Sequence, residues 1–274
     1  MRKISRNYFT FPYYVPRIFS LLRNWPEYLV RYLSRSRLPT EYRMRNGVRL
    51  KDDGSATLSG TIAVVFIRRE YGVPERFRTI VDIGANVGSF AVFAAQACPD
   101  AKVYCYEPEE RTFGLLKQNI GLNRLEGRVS ALRSAVASIA GKRSLAVGSS
   151  SLDSSFHIIP AAPRLQPVSC TTLKDILANE ELDRIDLLKI NCEGAEYEIL
   201  EGCSPGDFDR IANIRLEYHN LDAPTRNGEA LSRFLEARGY HIERFTRYLN
   251  RSGFIWASRG IANSAFFASL LSAA

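Results

Sequence analysis

The stretch Thr79–Phe90, TIVDIGANVGSF, decides the reading of this chain, taken with Tyr104–Glu110, YCYEPEE. Thr79–Asp82 reads as a buried strand, Gly84 and Gly88 mark a turn, and a helix opens near Gly88. The second stretch reads as another apolar strand ending in Glu107, 19 positions after Gly88. Strand, glycine turn, helix, strand and carboxylate is the order in which an α/β fold holds a ribose-bearing cofactor. Gly84 and Gly88 allow backbone angles and close approaches that a Cβ would block. Glu107 is placed to accept hydrogen bonds from both ribose hydroxyls.

The spacing also selects among cofactors. A dinucleotide fingerprint, G-x-G-x-x-G, leaves room for a pyrophosphate at the helix N-terminus. Here the order is Asp82-x-Gly84-x-Asn86-x-Gly88, with an acid ahead of the turn. A carboxylate there would repel a pyrophosphate but suits a cofactor that carries an ammonium and a sulfonium. That cofactor is S-adenosylmethionine, and Asp82, Gly84, Asn86, Gly88 and Glu107 are expected to bind it.

The 274 residues are enough for one large core, or one core with a small appendage. The five cysteines form no CxxC pair, so the sequence points to neither a disulfide framework nor a zinc ribbon, and to a reducing compartment. Net charge is +8 but unevenly spread: residues 1–50 hold 11 Lys+Arg against Glu27 and Glu41, or +9. The rest carries 26 basic and 27 acidic residues, or −1. A near-neutral body argues against a nucleic-acid partner. No apolar run reaches the ~18–20 residues that span a bilayer. The expected location is cytoplasmic, with a basic N-terminus suited to the inner membrane surface.

Four units follow along the chain: a basic, aromatic helical extension (1–40), a hairpin and helix (41–77), the catalytic domain (78–259) and an apolar tail (260–274). In the first, apolar residues recur at helical spacing from Pro16 to Arg37, with Pro26 expected to kink or split the helix. Three readings stay open there: a helix packed on the body, an interfacial helix drawn to anionic head groups, or a nucleic-acid arm. Asn46-Gly47 signals the hairpin turn. Strands are expected near 79–83, 102–106, 129–134, 186–190 and 212–218, with helices near 88–97, 109–122, 172–179, 194–202 and 228–238. An antiparallel pair, Gly239–Phe245 and Gly253–Ser258, should close the domain. Residues 141–168, rich in Ser and Pro, read as a long irregular insertion. The expected class is α/β: a Rossmann-like sheet of seven strands, the last antiparallel, behind an N-terminal helical extension.

A second constellation stands at Ile185–Leu200, IDLLKINCEGAEYEIL. Open parallel sheets bind ligands beyond the carboxyl ends of their strands, so Asn191, Cys192 and Glu193 should face the cofactor. Glu196 reads equally as a first-turn carboxylate or a surface acid. With VDIGANVG (Val81–Gly88) and YEPEE (Tyr106–Glu110), this motif resembles the FkbM family of S-adenosylmethionine-dependent methyltransferases over about Tyr42–Phe245. The resemblance implies a class I methyltransferase fold and O-methylation of a hydroxyl on a glycan, glycolipid or polyketide-type natural product. The family commonly has aspartate where this chain has Asn191. Two further readings are methylation of nucleic acid or protein, and a non-catalytic cofactor- or partner-binding domain.

Deprotonating a hydroxyl calls for a base within reach of it. His219 follows the strand IRLEY at its carboxyl end and is the expected base. Glu217 is placed to orient it or to face the cofactor, and Glu193 is the alternative proton acceptor. His157 lies in the insertion and His241 in the closing hairpin. Glu193, Glu217 and His219 carry no spacing signature for a metal, and none is expected.

Overall fold

The computed structural model describes residues 7–34, 40–54, 58–73, 76–148, 164–221, 223–248 and 252–259. Two helices, α1 (Asn7–Leu21) and α2 (Trp25–Ser34), precede a hairpin of β1 (Thr40–Arg43) and β2 (Arg49–Asp52). Helix α3 (Leu58–Ile62) then runs straight into a π-helix, Ala63–Ile67. The body follows: β3 (Thr79–Ile83), α4 (Ser89–Ala97), β4 (Lys102–Tyr106), α5 (Glu110–Leu122) and β5 (Val129–Leu132). A side sheet is formed by β6 (Ala135–Val136), β7 (Gly141–Val147) and β8 (Arg164–Thr171). The chain continues through α6 (Leu173–Asn179), β9 (Leu187–Ile190), α7 (Glu196–Glu201), α8 (Pro205–Asp209), β10 (Asn213–His219), α9 (Gly228–Glu236), β11 (His241–Phe245) and β12 (Ser252–Ser258).

The main sheet has seven strands in the order β11-β12-β10-β9-β3-β4-β5. Its pairings are parallel except those of β12, which runs against both β10 and β11. This is the class I methyltransferase sheet anticipated above, including its reversed last strand. Alternation along the strands divides the core between the two faces. Ile80 and Leu187 join one buried cluster, while Val81, Ile83, Leu188 and Ile190 join the other. From β3 the chain winds outward through β4 and β5, then returns through β9 to build the other half. The carboxyl ends of β3 and β9 therefore lie side by side at the point where strand order reverses, the place where such sheets bind ligands.

The aromatic stripe of the N-terminal extension is largely core. Ile18, Leu22 and Tyr28 are buried in one cluster with Tyr42, Phe66 and Phe90, so the packing reading accounts for the inward face of these helices. The segment is split rather than kinked: Pro26 occupies the first turn of α2, where a missing N–H costs nothing, and the break falls at Leu22–Asn24. Asn24 closes that corner: its Nδ2 donates to the Glu41 carbonyl and its Oδ1 accepts from the Arg43 amide.

The reading of 141–168 as irregular is corrected at both ends. Strands β7 and β8 pair antiparallel from Gly141↔Cys170 to Val147↔Arg164. Their inward residues Leu145, Val147, Val168 and Cys170 bury a small core with Ala135 and Ala137. His157 lies outside the described residues, and His241 is exposed on β11. Among the described residues, no helix is long and apolar enough to cross a membrane.

Candidate active site

The turn after β3 can be traced to its glycines. Gly84 has φ +71° and Gly88 +84°, both in the left-handed region, and Asn86 joins them at +51°. Gly84 also sits against the end of β9, where an added Cβ would stand 1.9 Å from the Asn191 carbonyl oxygen. The turn is pinned to β4 by Gly84 and Ala85 amides donating to the Tyr106 carbonyl. It is pinned again by the Asn86 amide, which donates to Glu107 Oε2 at 2.8 Å.

Glu107 is buried, and protein donors already hold much of its carboxylate. Oε1 accepts from the Glu109 amide at 3.0 Å and lies 3.0 Å from the Thr112 hydroxyl. A carboxylate offers about four acceptor sites, so Oε2, which holds one protein donor, keeps room for a ribose hydroxyl. Burial pushes the Glu107 carboxyl up to about 7, against the pull of the Glu109 and Asn86 amides and the Thr112 hydroxyl.

Asp82 differs from its sequence reading more sharply. Its carboxylate is fully buried and turned to Lys189 Nζ at 2.8 Å, so it does not meet a cationic cofactor directly. Burial raises its pKa and the Lys189 charge draws it back. Lys189 in turn donates to the carbonyls of Ile83 and Gly84, at 3.3 and 2.7 Å, which fixes the exit of β3. The pair positions the glycine turn.

A cavity of about 600 Å³ opens over these strand ends, a size typical of small-molecule sites. Gly84, Asn86 and Glu107 line one side; Asn191, Cys192, Glu193, Glu217 and His219 line its floor. The rest of the lining comes from far away in sequence: Tyr32 of α2, Thr61 of α3, Val64 and Val65 of the π-helix, Arg68, Tyr71, Tyr248 and Phe254. No local pattern announced this part. A π-helical turn beside a functional site is a recurrent arrangement.

His219 is not the free base that its position led us to expect. Its Nε2 lies 3.3 Å from Glu193 Oε2, and its Nδ1 lies 3.3 Å from Glu196 Oε1. Facing carboxylates on both sides, each ring nitrogen has to carry a proton, which makes the ring an imidazolium. Burial alone would lower its pKa. The hydrogen bond that the ring donates to Glu196 and the charges of Glu193, Glu196 and Glu217 overcome that and push it up to about 10. Glu196, which the sequence left undecided, is fully buried; it also accepts from the amides of Gly194 and His219, at 2.9 and 2.6 Å. Tyr197 Oη donates to the His219 carbonyl at 3.0 Å.

Glu217 is the other group that can take a proton. It stands two residues before His219 on the same strand face, and burial raises its pKa above the usual carboxylate range. Its Oε2 accepts from Asn191 Nδ2 at 3.1 Å. An aspartate at 191 would set two carboxylates against each other there; the amide turns repulsion into a hydrogen bond. Asn191 Oδ1 is buried without a hydrogen-bond partner. Among the described residues, no group of three or more His, Cys, Asp and Glu side chains is arranged to hold a metal ion.

Comparison with known proteins sets this geometry among relatives. A family profile described as the Methyltransferase FkbM domain matches residues 82–242, more than half of the chain. Methyltransferase sdnD of Sordaria araneosa is 29% identical over 195 residues, covering 60% of this chain and 74% of that protein. The 31-O-demethyl-FK506 methyltransferase FkbM of Streptomyces tacrolimicus is 29% identical over 184 residues, covering 56% and 70%. The solved structure of methyltransferase FkbM from Methylobacillus flagellatus has a TM-score of 0.48 at 13% identity, covering 66% of this chain and 43% of that one.

Proposed function

The chain belongs to the FkbM family of S-adenosylmethionine-dependent methyltransferases, and from that premise we propose that it methylates a hydroxyl oxygen of a glycan, glycolipid or polyketide-type natural product. The observation that carries the choice of oxygen is Glu217. It is a half-buried carboxylate of raised pKa in the cavity lining, held by Asn191 and suited to accept a hydroxyl proton. The relative named as a 31-O-demethyl-FK506 methyltransferase acts, by that name, on an oxygen of a natural product, which supports the same chemistry here.

The residues present fit the cofactor. Gly84, Asn86 and Gly88 shape the turn beside it. Glu107 Oε2 retains one acceptor position for a ribose hydroxyl, and the unpartnered Asn191 Oδ1 suits its ammonium. When bound, S-adenosylmethionine would supply an electrophilic methyl carbon on a sulfonium. Glu217 is placed to take the proton of the hydroxyl that receives it. Glu193, Glu196 and His219 form a charge-paired floor; the imidazolium offsets its neighbouring carboxylates and holds Glu193 in place. Much of the acceleration comes from holding oxygen and methyl in line at about 3–3.5 Å.

Glu107→Gln should weaken S-adenosylhomocysteine by about 1.5–3 kcal/mol in calorimetry, the usual worth of a hydrogen bond to a charged group. In the unchanged protein, affinity should fall as pH drops below about 7, because protonation removes the ionised acceptor. Equal affinities for the two proteins would take Glu107 off the ribose. The function itself is tested by transfer of labelled methyl into glycolipid, cell-envelope and natural-product extracts. Label recovered only in nucleic acid or protein, or in nothing, would overturn it.

The N-terminal helices are proposed to rest on an anionic membrane surface. Their outward side chains Tyr13, Phe19, Val30 and Leu33 are exposed, and residues 1–50 carry +9 against −1 for the remainder. Each basic residue near such a surface contributes about 1 kcal/mol. Co-sedimentation with phosphatidylserine vesicles should be lost in a Val30→Ser/Leu33→Ser variant and at high salt. Sedimentation unchanged in both would remove the membrane from the picture.

A further inference from the structure

Tyr71 lines the cavity with its ring tightly held. Its ring is packed edge-on against Phe90 and Phe254, with centroids 5.4 and 5.1 Å away. Lys189 Nζ lies 5.6 Å from its centroid. The residue before it is anchored as firmly. The Glu70 carbonyl accepts from Trp256 Nε1 at 2.7 Å, and its carboxylate accepts from Tyr248 Oη at 2.5 Å and Arg244 Nη2 at 2.7 Å. The ring thus has one orientation, and the hydroxyl it aims has no freedom to seek a partner elsewhere.

That hydroxyl is buried and has no hydrogen-bond partner. Asn191 lies beside it, but the two do not meet at hydrogen-bond geometry. Buried hydroxyls of folded proteins are nearly always satisfied, so an unsatisfied one that lines a cavity marks a position where a ligand atom completes the bond. The neighbouring ionised groups say what kind of atom. Burial first, and then the charges of Glu217, Asp82 and Glu193, hold the Tyr71 pKa well above its usual value. The hydroxyl keeps its proton and is a donor at neutral pH.

We propose that Tyr71 Oη donates a hydrogen bond to the acceptor oxygen, making Tyr71 a catalytic residue and the aromatic wall around it the acceptor subsite. This rests on the methyl-transfer reading above. A hydroxyl oxygen there has one lone pair engaged by Tyr71, its proton directed to Glu217, and its second lone pair left for the methyl carbon. A thiol or a carbon nucleophile would be a poor partner for the same donor, so the arrangement selects oxygen. The flanking rings Phe90, Tyr248 and Phe254 suit a ring-shaped, largely apolar body around that hydroxyl.

Binding of two isosteric probes tests the site without knowledge of the natural acceptor. Cyclohexanol and methylcyclohexane are titrated into the S-adenosylhomocysteine complex and followed by ligand-observed NMR. The alkane gains more from leaving water, so the readout is how the ratio of the two affinities changes. Tyr71→Phe, which keeps the ring contacts, should shift that ratio against the alcohol by about five- to tenfold, the worth of one hydrogen bond, while S-adenosylhomocysteine affinity holds. A ratio unchanged to within about twofold overturns the proposal. A high-resolution crystal structure of the wild-type complex with cyclohexanol gives a readout that needs no variant: the probe oxygen should lie within hydrogen-bond distance of Tyr71 Oη. Tyr71 bonded directly to Asn191 or Glu217 in that structure overturns it as well. Neither readout involves turnover, so failure to find methyl transfer would count against the proposed reaction and leave the hydroxyl site standing.

Discussion

Replacing Glu217 with glutamine should lower the turnover number by about 10²–10⁴-fold, the usual contribution of a positioned general base. The amide keeps the volume of the side chain and can still bond Asn191, but it cannot take a proton. Affinity for S-adenosylhomocysteine should change little, so the loss belongs to the chemical step. The pH profile gives a second signature. Burial holds the Glu217 pKa above the usual carboxylate value of ~4.3, and only the ionised form is a base. Activity of the unchanged enzyme should therefore rise with pH along a limb displaced upward from that value, and Glu217→Gln should lose the limb. A tenfold or smaller loss of turnover would pass the role to Glu193 or to solvent.

The second large effect is on stability. Lys189→Met should destabilise the protein by about 3–5 kcal/mol in urea unfolding, because it leaves the fully buried Asp82 carboxylate without its countercharge. Lys189 also holds two carbonyls at the exit of β3, so the glycine turn loosens with it. The double variant Asp82→Asn/Lys189→Met should recover much of that loss, since removing both charges also removes the uncompensated one. A cost under about 1 kcal/mol for Lys189→Met would mean that Asp82 is already protonated in the folded protein.

What the sequence made legible follows the range of the forces involved. Gly84 and Gly88 answer to backbone sterics that act within one turn, and Glu107 stands at a strand end set by the same local pattern, so all three could be read directly. The reversed last strand was visible for the same reason, in the alternation of Gly253–Ser258. The protonation of His219 was not. It depends on Glu196, 23 residues away, and on Glu193, brought together only when β9 and β10 pair side by side. Asp82 was misjudged likewise, because its partner Lys189 becomes a neighbour through the β3–β9 register. Strands β7 and β8 were hidden by Ser and Pro in the intervening sequence, although SLAV and VSCT carry apolar residues at strand spacing. Tyr71 had no signal at all: one aromatic after a charged turn means nothing until Phe90 and Phe254 close around it.

The lining of the cavity is written in different parts of the chain. The turn at Gly84–Gly88, Glu107, Asn191 and Glu217 all fall within residues 82–242, the stretch that the family profile matches. Tyr32, Thr61, Val64, Tyr71, Tyr248 and Phe254 fall outside it, some before and some after, while Phe90 falls inside. On the methyl-transfer reading proposed above, the acceptor's surroundings draw on both the matched centre and its flanks. Substitutions in the flanks can then reshape part of the pocket while Gly84, Asn86 and Glu107 stay fixed, and exchanging flanks between relatives becomes a way to change how an acceptor fits.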